Sequence, residues 1–265
     1  MPDFVTDIEF IADADNTSQR YVEKLPEPWD SAESHHVLIA LHGHGSDRWQ
    51  CPRDPRDECR AIRDVARRLG LILVSPDYRG LTSWMGPLAE RDLIQIIREL
   101  RQRHRVGKLF ICGGSMGGTS ALIFTVLHPE LVDGVCALNP AANMLEYANF
   151  QDAIAASYGG DKQTKPEEYR RRSPEFFPDR FAMLLAITTG GLDTVVPPES
   201  ALRLAQKVQA FNPAVLVIHR PGIGHLTDYK DTTAALEFVV NRVLETAFTL
   251  QPFWAHDRPE TRPGG

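Results

Sequence analysis

Cysteine is scarce in this chain, long apolar runs are missing and positive charge is not in excess; each absence removes a class of protein. Four cysteines in 265 residues are too few to staple a fold, and a chain this long can bury a sufficient core without staples. Cys112 and Cys136 fall inside apolar runs, where a small buried hydrophobe is expected. Cys51 and Cys59 flank Pro52 to Glu58 and leave a local disulfide open. No second ligand pair at zinc spacing accompanies them, so no metal and no cofactor are expected. Nowhere do about 18 apolar residues follow one another, which argues against a membrane span. A net charge of −6 argues against a nucleic-acid-binding surface. Met1 to Asp7 carry neither the basic nor the apolar region of a signal peptide, and a cytoplasmic location is expected.

What is present is alternation between buried strands and amphipathic helices. Residues 4–12 and 18–24 have near-alternating polarity around the turn-rich Asp13 to Thr17, and predict an antiparallel pair at a sheet edge. From His36 onward the apolar runs 37–41, 71–74, 108–112, 132–138, 182–187 and 214–218 lack alternation, as strands covered on both faces do. Between them, helical spacing recurs over 56–69, 88–104, 119–127, 198–210 and 231–248. The arginines of the 88–104 helix read as a solvated face. This pattern predicts an α/β fold: a mostly parallel sheet flanked by helices, one domain over 1–248, followed by a tail over 249–265. Residues 141–180 break the rhythm with six aromatics, Tyr147, Phe150, Tyr158, Tyr169, Phe176 and Phe177. That insertion reads either as a lid over a pocket or as a helical pair packed on the core.

In parallel sheets, functional groups gather where strands end. After 108–112 comes Gly113-Gly114-Ser115-Met116-Gly117-Gly118, a G-x-S-x-G elbow between a strand and a helix. After 182–187 comes Gly190-Gly191-Leu192-Asp193, and after 214–218 comes Gly222-Ile223-Gly224-His225. A serine hydroxyl needs a base to take its proton during attack. An imidazole suits that task, and a carboxylate on its far nitrogen holds the tautomer. Ser115, Asp193 and His225 are therefore the candidate catalytic residues. Asp228 and Asp231 are rival acids too close to His225 in sequence to reach its far nitrogen easily. The oxyanion needs N–H donors in place beforehand; Met116 and, from the loop His42-Gly43-His44-Gly45, His44 are the candidates. His42 and His44 also form an H-x-H pair, without a third metal ligand nearby. Gly43 lets the backbone approach substrate, and Trp84 is either a substrate contact or a packed residue.

These motifs, together with Asp77-Tyr78-Arg79-Gly80, Ser173-Pro174 and Val196-Pro197, resemble the α/β-hydrolase family. Within it the chain is similar to small esterases related to the prolyl oligopeptidase catalytic domain. The resemblance spans most of residues 37–240. It implies Ser115 as nucleophile, His225 as base, Asp193 as its orienting acid, and acyl transfer through an acyl-enzyme. The chain as given lacks the several hundred preceding residues of a propeller domain, so a small-molecule ester is the expected substrate. A peptidase of the prolyl oligopeptidase type and a non-catalytic binding module are the alternatives.

Overall fold

In the computed structural model, which describes residues 5–249, the apolar runs become one sheet and the 3.6-residue patterns become its covering helices. The strands are β1 (Val5–Ile11), β2 (Ser18–Lys24), β3 (Ser34–Leu41), β4 (Ile72–Pro76), β5 (Arg105–Gly114), β6 (Gly134–Leu138), β7 (Leu184–Gly190) and β8 (Val215–Arg220). The helices are α1 (Gln50–Arg53), α2 (Asp57–Arg68), α3 (Pro87–Arg103), α4 (Met116–Leu127), α5 (Gln151–Tyr158), α6 (Pro166–Arg171), α7 (Glu199–Gln209) and α8 (Tyr229–Thr249). The tail expected over 249–265 lies, beyond Thr249, outside the described residues.

The strands lie in the order β1-β2-β4-β3-β5-β6-β7-β8, with β1 and β2 antiparallel at one edge and β3 to β8 mutually parallel. The chain steps from β3 out to β4 and then returns to the other side of β3 for β5. This reversal opens a crevice between the carboxyl ends of β3 and β5, the usual place for a site in such sheets. The loop beginning at His42 and the elbow at Ser115 face each other there.

Side chains alternate across the sheet into two apolar layers. Val37, Ile39, Leu41, Val74, Leu109 and Ile111 face α3, α4 and α7. Leu38, Ala40, Leu73, Phe110, Cys112 and Cys136 face α2 and α8. From Met116 to Val126 every residue of α4 is buried, so this helix is a pillar of the core rather than an amphipathic cover. All four cysteines are free and buried, so Cys51 and Cys59 do not form the local disulfide left open above. They are neighbours nonetheless: a hydrogen bond with Cys59, then burial, pushes the Cys51 thiol well above its usual range.

One expectation changes. The arginine face of α3 is only partly a solvated surface: Arg98 pairs with Asp13 at 2.8 Å, and Arg103 reaches Glu23 at 2.9 Å and the Tyr21 hydroxyl at 2.5 Å, riveting α3 to the edge hairpin. Of the two readings of the 141–180 insertion, the packing of its helices on the core is the one observed, while Phe150 reaches the cavity wall. Ile154, Tyr158 and Tyr169 are buried in the core, and Arg172, without exposed surface, donates to Met85 O at 2.6 Å and to Glu90 Oε2 at 2.5 Å. A fully buried guanidinium needs such partners to be tolerable. No helix among the described residues is long and apolar enough to cross a membrane.

Candidate active site

β5 turns into α4 at Ser115, whose backbone has φ 57° and ψ −120°. A side chain in that region is strained, and the surrounding packing must hold it there. It does so by close approach: a Cβ on Gly113 would lie 2.5 Å from the carbonyl carbon of Gly117, and one on Gly117 would lie 2.1 Å from Leu41 O. No other residue fits at either position without moving backbone. The Ser115 amide is tied to Leu138 O at 2.8 Å, while its hydroxyl lies at the wall of a cavity.

The three residues picked from strand ends meet. His225 Nε2 is 2.9 Å from Ser115 Oγ, and His225 Nδ1 is 2.6 Å from Asp193 Oδ2. Asp193 is acceptor-only when ionised, so Nδ1 carries the proton and Nε2 is free to accept the hydroxyl's. The other carboxylate oxygen of Asp193 accepts the amides of Val195 and Val196, each at 2.9 Å, which orients the group. Asp228 and Asp231 are occupied elsewhere: Asp231 pairs with Arg220 at 2.6 Å and Asp228 caps the start of α8 through the Asp231 amide at 2.7 Å.

Opposite the serine, the loop after β3 is fixed at several points. The Gly43 amide donates to Gln50 Oε1 at 2.6 Å and the Gly45 amide to Leu81 O at 2.8 Å. The Tyr78 hydroxyl donates to His42 O at 2.6 Å. The His42 ring, fully buried, lies between Gly43 O at 2.9 Å and Asp77 O at 3.2 Å, and burial lowers its pKa. Both its nitrogens are turned to backbone, so the H-x-H pair is not arranged as a pair of metal ligands. The amides of Met116 and His44 have no protein acceptor among the described residues. Gly43, expected beside substrate, does line the cavity, but its own N–H is spent on Gln50.

Trp84 requires a correction as a substrate contact. It has no exposed surface and is not part of the cavity wall. Its indole N–H instead donates to His44 Nδ1 at 3.2 Å. Trp84 and Met85 both have positive φ, 45° and 52°, and the insertion grips them through Tyr158, whose hydroxyl donates to Trp84 O at 3.1 Å, and through Arg172 on Met85 O. The insertion thus acts on the site through Trp84 and His44, and directly through Phe150.

The cavity above Ser115 has a volume of about 410 Å³. Its apolar lining includes Phe150, Val195, Leu226 and the His44 ring, which packs on Phe150 at 4.3 Å between centroids. Its polar lining includes Gln50, Arg56 and Glu58. None of Gln50, Glu58 and Phe150 was singled out from sequence as a site residue. Gln50 belongs to no motif, Glu58 reads as an ordinary acid in the first turn of a helix, and Phe150 is one aromatic among six in the insertion.

An order-reversing parallel sheet, a serine elbow after its central strand and a histidine and aspartate after later strands define a serine hydrolase of the α/β-hydrolase fold. The profile of the prolyl oligopeptidase family matches residues 61–242, and the chain belongs to that family. FphF, a fluorophosphonate-binding serine hydrolase of Staphylococcus aureus, shares the fold at TM-score 0.67 and 18% identity, over 92% of this chain and 99% of that one. Est1E from Butyrivibrio proteoclasticus does so at 0.62 and 17%, over 92% and 98%. Puromycin hydrolase matches at 0.71 and 18% over 92% of this chain, which spans 40% of that longer protein. In sequence, homoserine O-acetyltransferase of Corynebacterium jeikeium (strain K411) is 28% identical over 160 residues, 51% of this chain and 40% of the acetyltransferase.

Proposed function

We propose that this chain hydrolyses small carboxylic esters through an acyl-enzyme on Ser115, with His225 as general base and acid and Asp193 as its orienting carboxylate. The observation that carries this reading is the continuous hydrogen-bonded line from Asp193 through His225 to Ser115, opening on a cavity sized for a small molecule.

Ser115 Oγ attacks the acyl carbon as its proton passes to His225 Nε2, and Asp193 stabilises the resulting imidazolium. The negative charge on the former carbonyl oxygen is met by the Met116 and His44 amides, each donor of this kind contributing about 3 kcal/mol. Collapse breaks the bond to the leaving oxygen, which takes the proton from Nε2 and departs as the alcohol. A water then gives a proton to Nε2 and attacks the acyl carbon, and the second collapse frees the acid and restores Ser115. Peptide hydrolysis would use the same groups with an amine leaving. So would acyl transfer to an alcohol in place of water, a second reading favoured by the identity with the acetyltransferase.

The test is release of nitrophenol from p-nitrophenyl esters of short and long acids, run beside aminoacyl anilides and thioesters. Esters should be cleaved fastest, and Ser115→Ala should lose activity with all of them. A wild type no faster than Ser115→Ala across the panel overturns the hydrolase reading, and anilides cleaved faster than esters overturn the ester preference.

A further inference from the structure

The polar lining of the cavity includes a carboxylate that the proposed chemistry does not use. Glu58 lines the same cavity as Ser115, and its Oε1 lies 3.6 Å from where a Cβ on Gly114, the residue before the nucleophile, would stand. No hydrogen bond reaches this carboxylate among the described residues. The nearest cation, Arg56, stands off at 3.7 Å, because its guanidinium is committed to Asp54 through Nε at 2.9 Å and Nη2 at 2.7 Å. With Arg56 matched to Asp54, the charge of Glu58 is left over. The Glu58 side chain, 21% exposed, opens on the cavity, and partial burial raises its pKa.

The position of Glu58 relative to His225 decides which part of a substrate it meets. His225 Nε2 returns the proton to the leaving oxygen, so the alcohol portion of an ester lies on the imidazole side of the acyl carbon. The first turn of α2, which carries Glu58, packs against the segment that follows His225: the Tyr229 amide donates to Asp57 Oδ2 at 3.3 Å, and Arg60 lies over the Tyr229 ring at 4.6 Å. The imidazolium formed on His225 during turnover lies within electrostatic reach of Glu58. Phe150 and Val195 supply apolar lining to the same cavity.

Resting on the esterase reading above, we infer that Glu58 is a specificity-determining residue that selects esters whose alcohol portion carries a cationic, hydrogen-bond-donating nitrogen near the ester oxygen. Such a group supplies both the donor and the charge that the carboxylate lacks. An alcohol portion bearing a carboxylate is repelled by the same residue.

The probes are 2-(dimethylamino)ethyl acetate, its neutral isostere 3-methylbutyl acetate and the anionic 3-acetoxypropanoate, with acetate release followed at pH 7. The wild type should prefer the cationic over the neutral ester by about tenfold in kcat/KM, a difference of about 1.4 kcal/mol. In Glu58→Gln that ratio should fall to about one, and in Glu58→Lys the preference should pass to the anionic ester. Labelling of Ser115 by a fluorophosphonate reports whether each variant keeps its site. A wild-type ratio near one, or a ratio that survives in Glu58→Gln, overturns the assignment while p-nitrophenyl acetate hydrolysis keeps the esterase reading standing. A Glu58→Gln protein that melts earlier but keeps the wild-type ratio gives Glu58 to the α2 terminus alone, and also overturns it. If no ester in either panel is cleaved, the esterase reading fails and this inference fails with it.

Discussion

The indole N–H of Trp84 donates to Nδ1 of His44, so a side chain without exposed surface holds one that faces the cavity. Because Nδ1 accepts, the His44 proton sits on Nε2, and burial keeps the ring's pKa below its usual range. Trp84→Phe keeps most of the packing and removes the donor. With the His44 amide in its proposed role on the oxyanion rather than on bound ester, the expected result is a fall of about tenfold in kcat for p-nitrophenyl acetate with little change in KM. A rise in KM at constant kcat would place Trp84 in substrate binding instead.

Asp193→Asn keeps the shape of the acid and presents an amide to His225 Nδ1. The favoured imidazole tautomer is then reversed, and kcat should fall by about 10⁴ while Ser115 and the fold are intact. Stopped-flow and steady-state assays on the same preparation, with thermal melting as control, check this.

Gln50 Oε1 is the acceptor for the Gly43 amide. Gln50→Leu leaves that amide without a partner, and the expected loss of stability is about 1–3 kcal/mol, read from urea denaturation. Gln50→Glu retains an acceptor oxygen and should recover most of the loss. Equal destabilisation by both variants would show that the bond to Gly43 contributes little.

Arg172 joins Met85 O, Glu90 and Glu168 from a position with no exposure. Arg172→Met removes one partner from buried charges, and about 3–5 kcal/mol of stability should go with it. Adding Glu90→Gln should restore part, since it removes a charge that only His128 and Arg171 then face; a double mutant no better than the single one would contradict this coupling.

Acid should act on stability in two stages. Burial lowers the pKa of His36, His42 and His44 from 6.5, so below about 6.5 the unfolded chain takes up protons the folded one refuses, and stability declines as pH falls through the lowered values. Hydrogen bonds and ion pairs, outweighing burial, hold Glu90 and Glu175 at about 2 instead of 4.5. Their contribution is present above 4.5 and lost between about 4.5 and 2. Glu58 and Asp92, raised by burial, work in the opposite sense. Denaturation midpoints at stepped pH should show a shallow decline from about 6.5 and a steeper one below about 4.5; a flat profile down to pH 4.5 would remove the histidines from the account.

Ser115, Asp193 and His225 were legible in sequence because each follows an apolar run, and the order of strands in a parallel sheet carries such ends to one edge. The sheet itself was legible for the same reason: fully covered strands lack alternation. Trp84 and the insertion were not, because an aromatic residue in a loop gives no local sign of whether it turns outward or inward. Tyr158 and Tyr169 turned inward, and Arg172, a charged residue by composition, became part of the core. Gln50 and Glu58 stand at the cavity only because α1 and α2 fold back beneath the β3 loop, a tertiary event with no periodicity to announce it.

The four free thiols all sit on the α2 and α8 side of the sheet, all of them within its apolar layer and none at the surface. A thiol reagent added to the folded chain therefore has nothing to react with until that layer parts. Modification kinetics of the unaltered protein become a clock for its opening.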